Sequence, residues 1–269
     1  MIAYTKDIGI ASQFNSNKYT TMKLLLFLLL FPAFVQSVNI DAKAWAIADG
    51  AGNVIEEQNI QNVQPIASIT KLMTVMVVLD SNESLKEPSK LRKFRGLALT
   101  RQQLIDLAII RSDNDAANML CKMYHRGYTS CIADMNHKAK VLGMDNTQFH
   151  DSTGLDNRNV SNAADLLKLL MAAEKYPEIV HASNQSVGEL LKPAKKRILK
   201  WKYTNTNPLV SKYNVIVSKT GYVRLSGGCL VMSTYIKGQK RLFVVLNSRT
   251  TRTRIHDMET LIIDTITKI

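Results

Sequence analysis

The sequence is poor in cysteine and has no grouping of cysteine with histidine. Three of its 269 residues are cysteines, and because this number is odd, at least one thiol has no partner within the chain. No cluster of His and Cys has the spacing of metal ligands, so the sequence predicts no metal site, and it indicates no cofactor. Internal repeats and low-complexity segments are also missing. The length fits one large domain or two small ones, with a sizeable core.

Acidic residues are in short supply. The chain has 22 Asp and Glu against 35 Lys and Arg, which gives a net charge of +13. Such a charge is typical of proteins that bind nucleic acid, an anionic membrane surface or an acidic polymer such as a cell wall. One basic segment has aromatic neighbours, as a nucleic-acid patch does; it contains Lys192, Lys195, Lys196, Arg197, Lys200 and Lys202, with Trp201 and Tyr203. We interpret this segment as a solvated loop bordering a cleft and expect no nucleic-acid partner.

Residues 1–37 have the pattern of a secretory signal peptide behind a polar extension. Met22 and Lys23 form a charged start, residues 24–34 an apolar middle, and residues 35–37 a plausible cleavage point. Because signal peptides begin with their basic residue, we infer that translation starts at Met22. The apolar run is short for a transmembrane span, so membrane contact is expected only if the segment stays uncleaved. Export through this segment predicts a periplasmic protein.

The segment from Ala67 to Met73 carries the first chemical signal. Pro65 precedes a long apolar run that is typical of a buried helix, and Ser68 lies at the predicted start of that helix. Residues three apart lie on one helical face, so the Ser68 hydroxyl and the Lys71 amine are expected side by side. A lysine can accept a serine proton if burial lowers its pKa toward neutrality, and the apolar residues after Lys71 would supply that burial.

Two further triplets follow in a definite order. Ser112-Asp113-Asn114 comes after an apolar segment, and Lys219-Thr220-Gly221 comes after a predicted strand. The set S-x-x-K, S-D-N and K-T-G marks penicillin-binding proteins and class A β-lactamases. Each triplet alone is more often structural than catalytic, but the order and the number of matches favour a functional site.

Hydrophobic periodicity predicts an α/β fold in which an antiparallel sheet uses both ends of the chain. Residues 42–57 alternate around a turn at 50–53, which is typical of a β-hairpin. The last third contains three predicted strands and then an amphipathic helix, at residues 215–217, 228–233, 242–246 and 252–268. Helices on both sides of the sheet are therefore expected.

The middle of the chain is predicted to be helical. A helix is expected to start at Thr100 with a capping pattern, and residues 116–142 have a helical pattern with a break at Gly127. These helices would form an all-helical subdomain inserted between strands, while Lys86 to Gly96 is predicted to be a charged loop. Export would permit a disulfide between Cys121 and Cys131, and their spacing across two predicted helices allows it without requiring it.

Four further segments support a family resemblance. With the three triplets, they make residues 38–269 resemble the catalytic domain of the serine D-alanyl-D-alanine carboxypeptidases, the low-molecular-mass penicillin-binding proteins, most closely their endopeptidase branch. The segments are Ile66–Thr74, Met135–Met144, Ser152–Leu155 and Asn205–Asn207. The resemblance implies a β-lactamase/transpeptidase-like fold, peptidoglycan peptides as substrates and β-lactams as covalent inhibitors.

The resemblance also implies a role for each matching residue. Ser68 would be the nucleophile, Lys71 its general base, and Ser112 the group that passes a proton to the leaving amine. The remaining residues would bind the substrate. Asn114 would bind the substrate amide, Lys219 and Thr220 would bind its carboxylate, and Gly221 would let the strand approach its backbone. The backbone N–H groups of Tyr222 and Ser68 would bind the oxyanion. These roles agree with elementary chemistry, since a lysine is a point charge for a carboxylate and two N–H donors stabilise developing negative charge.

Several reactions remain open. A class A β-lactamase needs a positioned Glu, and no E-x-x-N lies between Gly143 and Leu167, where Asp151 and Asp156 occur instead. We therefore rank hydrolysis of D-alanyl-diaminopimelate crosslinks first, a choice that the apparent single catalytic domain also favours. The alternatives are removal of terminal D-Ala, β-lactam hydrolysis, and an inert basic protein that binds wall polymer or nucleic acid.

Overall fold

The structure, a computed structural model, describes residues 39–93, 97–194 and 197–269. The strands in these ranges are β1 (Ala44–Asp49), β2 (Val54–Gln58), β3 (Gln64–Pro65), β4 (Pro88–Lys93), β5 (Leu97–Thr100), β6 (Val160–Ser161), β7 (Val187–Ala194), β8 (Arg197–Thr204), β9 (Val215–Val223), β10 (Gly227–Ile236) and β11 (Gln239–Ser248). The α-helices in the same ranges are α1 (Thr70–Asp80), α2 (Arg101–Asp106), α3 (Asn114–Lys122), α4 (Gly127–Val141), α5 (Ala163–Ala173), α6 (Pro177–Asn184) and α7 (Thr253–Lys268). The predicted signal peptide and the start at Met22 lie outside the described residues.

A five-stranded antiparallel sheet joins the two ends of the described chain. Its strand order is β2-β1-β11-β10-β9, and β1 pairs with β11 in a register that places Ala44 opposite Leu246. The predicted first hairpin and the three late strands are confirmed. Strand β9 lies at one edge of the sheet, so one side of its backbone is open to a neighbouring segment.

The two faces of the sheet bury different side chains. Trp45 and Phe243 pack in one core with Met258 of α7, whereas the neighbouring Ala46 and Val244 pack in a second core with the other helices. This alternation follows from the period of two along a strand. The sheet is therefore a middle layer between α7 and the helices α1–α6, as the sequence predicts. Over the described ranges, no helix combines the length and hydropathy needed to cross a bilayer.

The helical layer lies between β3 and β7 in the chain. Gly127 breaks the helical pattern as predicted, with a φ of 79° at the start of α4. A disulfide joins Cys121 of α3 to Cys131 of α4, with Cα atoms 5.4 Å apart. The third cysteine, Cys229, is buried in β10 and free.

Two charged segments that the sequence predicts to be loops form hairpins instead. Strand β4 pairs with β5 across the predicted loop at 86–96, and β7 pairs with β8 through the basic segment. Charged residues on the exposed face of the second hairpin obscure its alternation of apolar and polar positions. In the second hairpin, Leu190 and Tyr203 are buried while Lys200 and Lys202 form ion pairs with Glu189 on the facing strand. These ion pairs offset part of the positive charge of that segment.

Candidate active site

Ser68 lies in a short turn between the sheet and α1. Residues 67–69 form a 3₁₀ turn, and α1 follows at Thr70, so the predicted position of Ser68 at the helix start is confirmed. Ala67 has a φ of 46°, a left-handed conformation that is uncommon outside glycine. The Thr70 hydroxyl donates to the Ala67 carbonyl at 2.8 Å, which helps to hold this turn.

The Lys71 amine lies among three acceptors. Lys71 is fully buried, and its Nζ donates to Ser68 Oγ at 2.7 Å, to Asn114 Oδ1 at 2.8 Å and to the Thr153 carbonyl at 2.7 Å. Burial lowers the pKa of Lys71 to about 7, although the charges of Asp151 and Asp113 act in the opposite direction. A substantial fraction of the amine is therefore neutral near pH 7 and has a lone pair that can accept the Ser68 proton.

Ser112 lies across the site from Ser68, in a strained conformation. Helix α2 continues into a π-helical turn at residues 107–111, and Ser112 follows with a φ of 60°. Asp113 then caps α3 by accepting from the Ala116 N–H at 2.9 Å, which places Asn114 in the first turn of that helix. π-Helical turns and left-handed residues of this kind are common at functional sites.

Lys219 on β9 contacts Ser112. Its Nζ donates to Ser112 Oγ at 2.8 Å and to the Thr220 carbonyl at 2.9 Å. Burial, followed by the charges of Lys71 and Arg254, lowers the pKa of Lys219 well below the usual value. The charge of Lys71 thus contributes to the low pKa of Lys219, whereas burial is what lowers the pKa of Lys71.

The end of β9 approaches the backbone of Ser68 closely. A Cβ on Gly221 would lie 3.0 Å from the Ser68 nitrogen and 2.9 Å from the Ile66 carbonyl, so a side chain there would crowd this backbone. The next residue, Tyr222, has a side chain that is 47% exposed. On the other side of the strand, the Thr220 and Thr206 hydroxyls are 2.6 Å apart.

The structure thus brings together the side chains of Ser68, Lys71, Ser112, Asn114 and Lys219. Thr220, Gly221 and Tyr222 follow on the same strand. Across the described residues, no three His, Cys, Asp or Glu side chains are grouped as metal ligands would be.

Three residues of the site are not among those predicted. Thr153 supplies its backbone carbonyl to Lys71, an interaction that any residue type could make. Asp151 accepts hydrogen bonds from the loop that contains Thr153. Arg254 is buried at the start of α7 and donates to the Gly221 carbonyl at 2.6 Å. An arginine on the same helical stripe as Met258 and Leu261 is the sequence signal that indicates its burial.

The site contains two lysine–serine pairs, Lys71 with Ser68 and Lys219 with Ser112, and the pKa of the buried Lys71 is about 7. This arrangement is typical of serine enzymes that form an acyl intermediate. Comparison with known proteins identifies the family. A family model described as D-alanyl-D-alanine carboxypeptidase matches residues 32–93 and 85–250. The chain belongs to this family, as the sequence resemblance predicts, and is a serine DD-peptidase, a hydrolase that acts on D-Ala-D-Ala.

Characterised relatives include both endopeptidases and carboxypeptidases. The chain is 38% identical over 210 residues to the D-alanyl-D-alanine endopeptidase of Escherichia coli (strain K12), and the aligned region covers 72% of this chain and 67% of that protein. It is 29% identical over 270 residues to the D-alanyl-D-alanine carboxypeptidase DacC of the same organism, covering 88% and 65% of the two chains.

Solved structures confirm the predicted fold. The Streptomyces K15 DD-transpeptidase superposes with a TM-score of 0.78 at 25% identity, over 86% of this chain and 98% of that one. Penicillin-binding protein D2 from Listeria monocytogenes, in its ampicillin-bound form, superposes with a TM-score of 0.72 at 28% identity, over 83% and 96% of the two chains.

Proposed function

We propose that this protein is a D-alanyl-D-alanine endopeptidase that hydrolyses D-alanyl-diaminopimelate crosslinks of peptidoglycan through an acyl-enzyme on Ser68. The observation that carries the proposal is the 2.7 Å contact between the Ser68 hydroxyl and the buried Lys71 amine. The choice of endopeptidase rests on the relatives, since three with that name are 34–38% identical to this chain and the carboxypeptidase DacC is 29% identical.

The acylation step begins with proton transfer from Ser68 to neutral Lys71. Ser68 Oγ then forms a bond to the D-Ala carbonyl carbon, and the backbone N–H groups of Ser68 and Tyr222 stabilise the oxyanion. As the C–N bond breaks, Ser112 donates a proton to the leaving nitrogen and recovers one from the Lys71 ammonium. In the second half-reaction Lys71 accepts a proton from the attacking water and then returns it to Ser68 Oγ as the ester C–O bond breaks, which regenerates the free enzyme.

Substrate is bound by the groups beside the two serines. Asn114 Oδ1 accepts from Lys71, so the Nδ2 of the same amide remains to donate to a substrate carbonyl. The free carboxylate of the leaving group binds Lys219 and the Thr220 hydroxyl. Arg254 adds positive charge behind this pocket through its contact with the Gly221 carbonyl.

Neither acidic residue in the loop at 151–156 is placed to activate water as a β-lactamase glutamate does. The Asp151 carboxylate accepts from the backbone N–H groups of Thr153 and Gly154, and the Asp156 carboxylate pairs with Arg158 at 2.6 Å. We therefore expect a penicillin to acylate Ser68 and to remain bound. Steady turnover of penicillin by the purified protein would contradict this part of the proposal.

Labelling with a fluorescent penicillin tests the nucleophile and the base. We expect covalent, denaturation-resistant label on the wild type and none on Ser68→Ala, with the exposed-site variant Ser211→Ala as the matched control. Lys71→Ala should label far more slowly. Full labelling of either Ser68→Ala or Lys71→Ala would show that the assigned nucleophile or base is wrong.

A substrate comparison separates the endopeptidase from the carboxypeptidase. Purified protein is incubated with crosslinked muropeptide dimers and with pentapeptides, and the products are separated by chromatography. The proposal predicts that dimers are cleaved to monomers. Loss of D-Ala from pentapeptides while dimers survive would instead establish the carboxypeptidase.

The proposed location is the periplasm, where this substrate lies. The support is the composition of residues 1–37 and the cell-wall chemistry of the relatives. Fractionation of cells that express the full chain, followed by N-terminal sequencing of the mature protein, tests both the location and the predicted cleavage near residue 37.

A further inference from the structure

The Asp151 carboxylate organises the loop beside Lys71. Its Oδ1 accepts from the Thr153 N–H at 2.7 Å, the Gly154 N–H at 2.6 Å and Asn159 Nδ2 at 2.8 Å. Its Oδ2 accepts from the Asp156 N–H at 2.8 Å and from the Thr153 hydroxyl at 3.2 Å. Five hydrogen bonds to one carboxylate constrain the backbone of residues 153–156 more strongly than a usual surface Asp would, because hydrogen bonds to an ionised group are the strong ones.

The constrained loop contacts both members of the proposed catalytic pair. The Thr153 carbonyl accepts from Lys71 Nζ at 2.7 Å. Gly154 has a φ of 83°, and a Cβ on it would lie 1.8 Å from the Ala67 carbonyl oxygen and 2.8 Å from the Ser68 nitrogen. Two residues after Asp151, the loop thus touches the base, and one residue later it touches the turn that contains the nucleophile.

We propose that Asp151 is a positioning residue for acylation, one that holds the Thr153 carbonyl against Lys71 and supplies negative charge to the base without touching substrate. This inference rests on the proposed role of Lys71 as the base. It differs from the sequence interpretation, in which Asp151 is noted only as a carboxylate in the place of a β-lactamase glutamate.

The charge of Asp151 acts on Lys71 together with other charges around it. Asp151 and Asp113 both favour the ammonium form of Lys71 and oppose the effect of burial on its pKa. Across the site, the charge of Lys71 in turn lowers the pKa of Lys219 on β9. Removing the Asp151 charge therefore lowers the pKa of Lys71 further, so the acid limb of the acylation rate moves to lower pH.

Three variants of the full chain test this inference. Asp151→Asn removes the charge and weakens the hydrogen bonds, Asp151→Glu keeps the charge but displaces it, and Asp156→Asn is the matched control. Asp156 is in the same loop, and its carboxylate pairs with Arg158 while its backbone N–H, which the substitution keeps, contacts Asp151. The rate of acylation by a fluorescent penicillin is measured from pH 5.5 to 8.5, with the final extent of labelling counting the folded sites.

We expect Asp151→Asn to slow acylation at pH 8 by roughly 10- to 100-fold, the range for misplaced catalytic groups, and the deficit to shrink toward pH 6. Asp151→Glu should slow acylation without moving the midpoint, and Asp156→Asn should change neither. A rate within two-fold of wild type for Asp151→Asn overturns the inference. So does a deficit that is equal at every pH, because a merely structural role would reduce the rate uniformly.

The outcomes separate this inference from the proposed function. Should Asp151→Asn fail to fold, Asp151→Glu decides: a slower rate with an unchanged midpoint supports the inference, and a wild-type rate overturns it. A Lys71→Ala variant that labels at the full rate refutes the proposed base. Slow labelling of Lys71→Ala with wild-type behaviour of Asp151→Asn refutes only the role of Asp151.

Discussion

Gly154→Ala should disable the site through a single methyl group. Gly154 has a φ of 83°, and an added Cβ would lie 1.8 Å from the Ala67 carbonyl oxygen and 2.2 Å from its carbon. The closest approach that real Cβ atoms show is 3.0 Å, so the two backbones must separate by about 1.2 Å, the difference between these distances. Ala67 directly precedes the nucleophile, and the displacement therefore reaches Ser68.

The size of the effect follows from these distances. A misplacement of about 1 Å lowers catalytic rates by roughly 100-fold, so acylation should slow by about that factor. The left-handed backbone destabilises alanine by about 1–2 kcal/mol, and overpacking adds roughly 1–3 kcal/mol. A loss of about 3 kcal/mol lowers the Tm of a domain of this size by roughly 6–12 °C.

Gly238→Ala is the matched control for backbone strain. Gly238 has a φ of 80°, and a Cβ on it would meet nothing within 4 Å. It should therefore lose about 1–2 kcal/mol of stability while acylation stays at the wild-type rate. Penicillin acylation and thermal melting are measured on both variants. If Gly154→Ala has an acylation rate within two-fold of wild type and the same Tm as Gly238→Ala, then the close contact with Ala67 does not constrain the position of Ser68.

Three further outcomes are expected. Lys71 must be neutral to accept a proton, and its pKa is about 7. The acylation rate should therefore fall as the pH drops through 7, and the rate at pH 6 should be roughly one-tenth of the rate at pH 8. Stopped-flow rates that stay constant over this range would contradict the assignment of Lys71 as the base. The disulfide between Cys121 and Cys131 spans a sequence separation of 10. On the loop-entropy model, reducing it should lower the free energy of unfolding by about 2.7 kcal/mol. Identical urea midpoints with and without reductant would refute that model for this protein. Thr206→Val removes the hydroxyl that lies 2.6 Å from the Thr220 hydroxyl. It should raise the KM for a peptide substrate by roughly five-fold and leave kcat nearly unchanged. An unchanged KM would show that Thr206 does not contribute to substrate binding.

The core of the site follows from local sequence. Ser68 and Lys71 are three residues apart on an apolar helix, and helical geometry alone places their side chains together, as the 2.7 Å contact confirms. The late strands of the main sheet are predictable from their buried apolar runs, and the first hairpin is predictable from its alternation around the turn at 50–53. Bringing Ser112 and Lys219 to within 2.8 Å, across 107 residues of chain, required the family resemblance.

Other contacts have no pattern that a sequence could reveal. The Thr153 carbonyl that accepts from Lys71 is a backbone group, which every residue type possesses. The hairpin of β7 and β8 was wrongly predicted as a loop because Lys200 and Lys202 pair with Glu189 across the strands and hide the apolar face.

The two buried lysines of the site differ in the charges around them, and this difference suits their proposed roles. Lys71 has two acidic residues nearby, Asp151 and Asp113, which partly restore the pKa that burial lowers. The charges beside Lys219 are Lys71 and Arg254, which lower its pKa further. An anion entering the pocket would favour the charged form of Lys219. A substrate with a free carboxylate next to the cleaved bond therefore supplies the negative charge that this pocket lacks. A substrate without that carboxylate leaves the buried Lys219 with no opposite charge beside it.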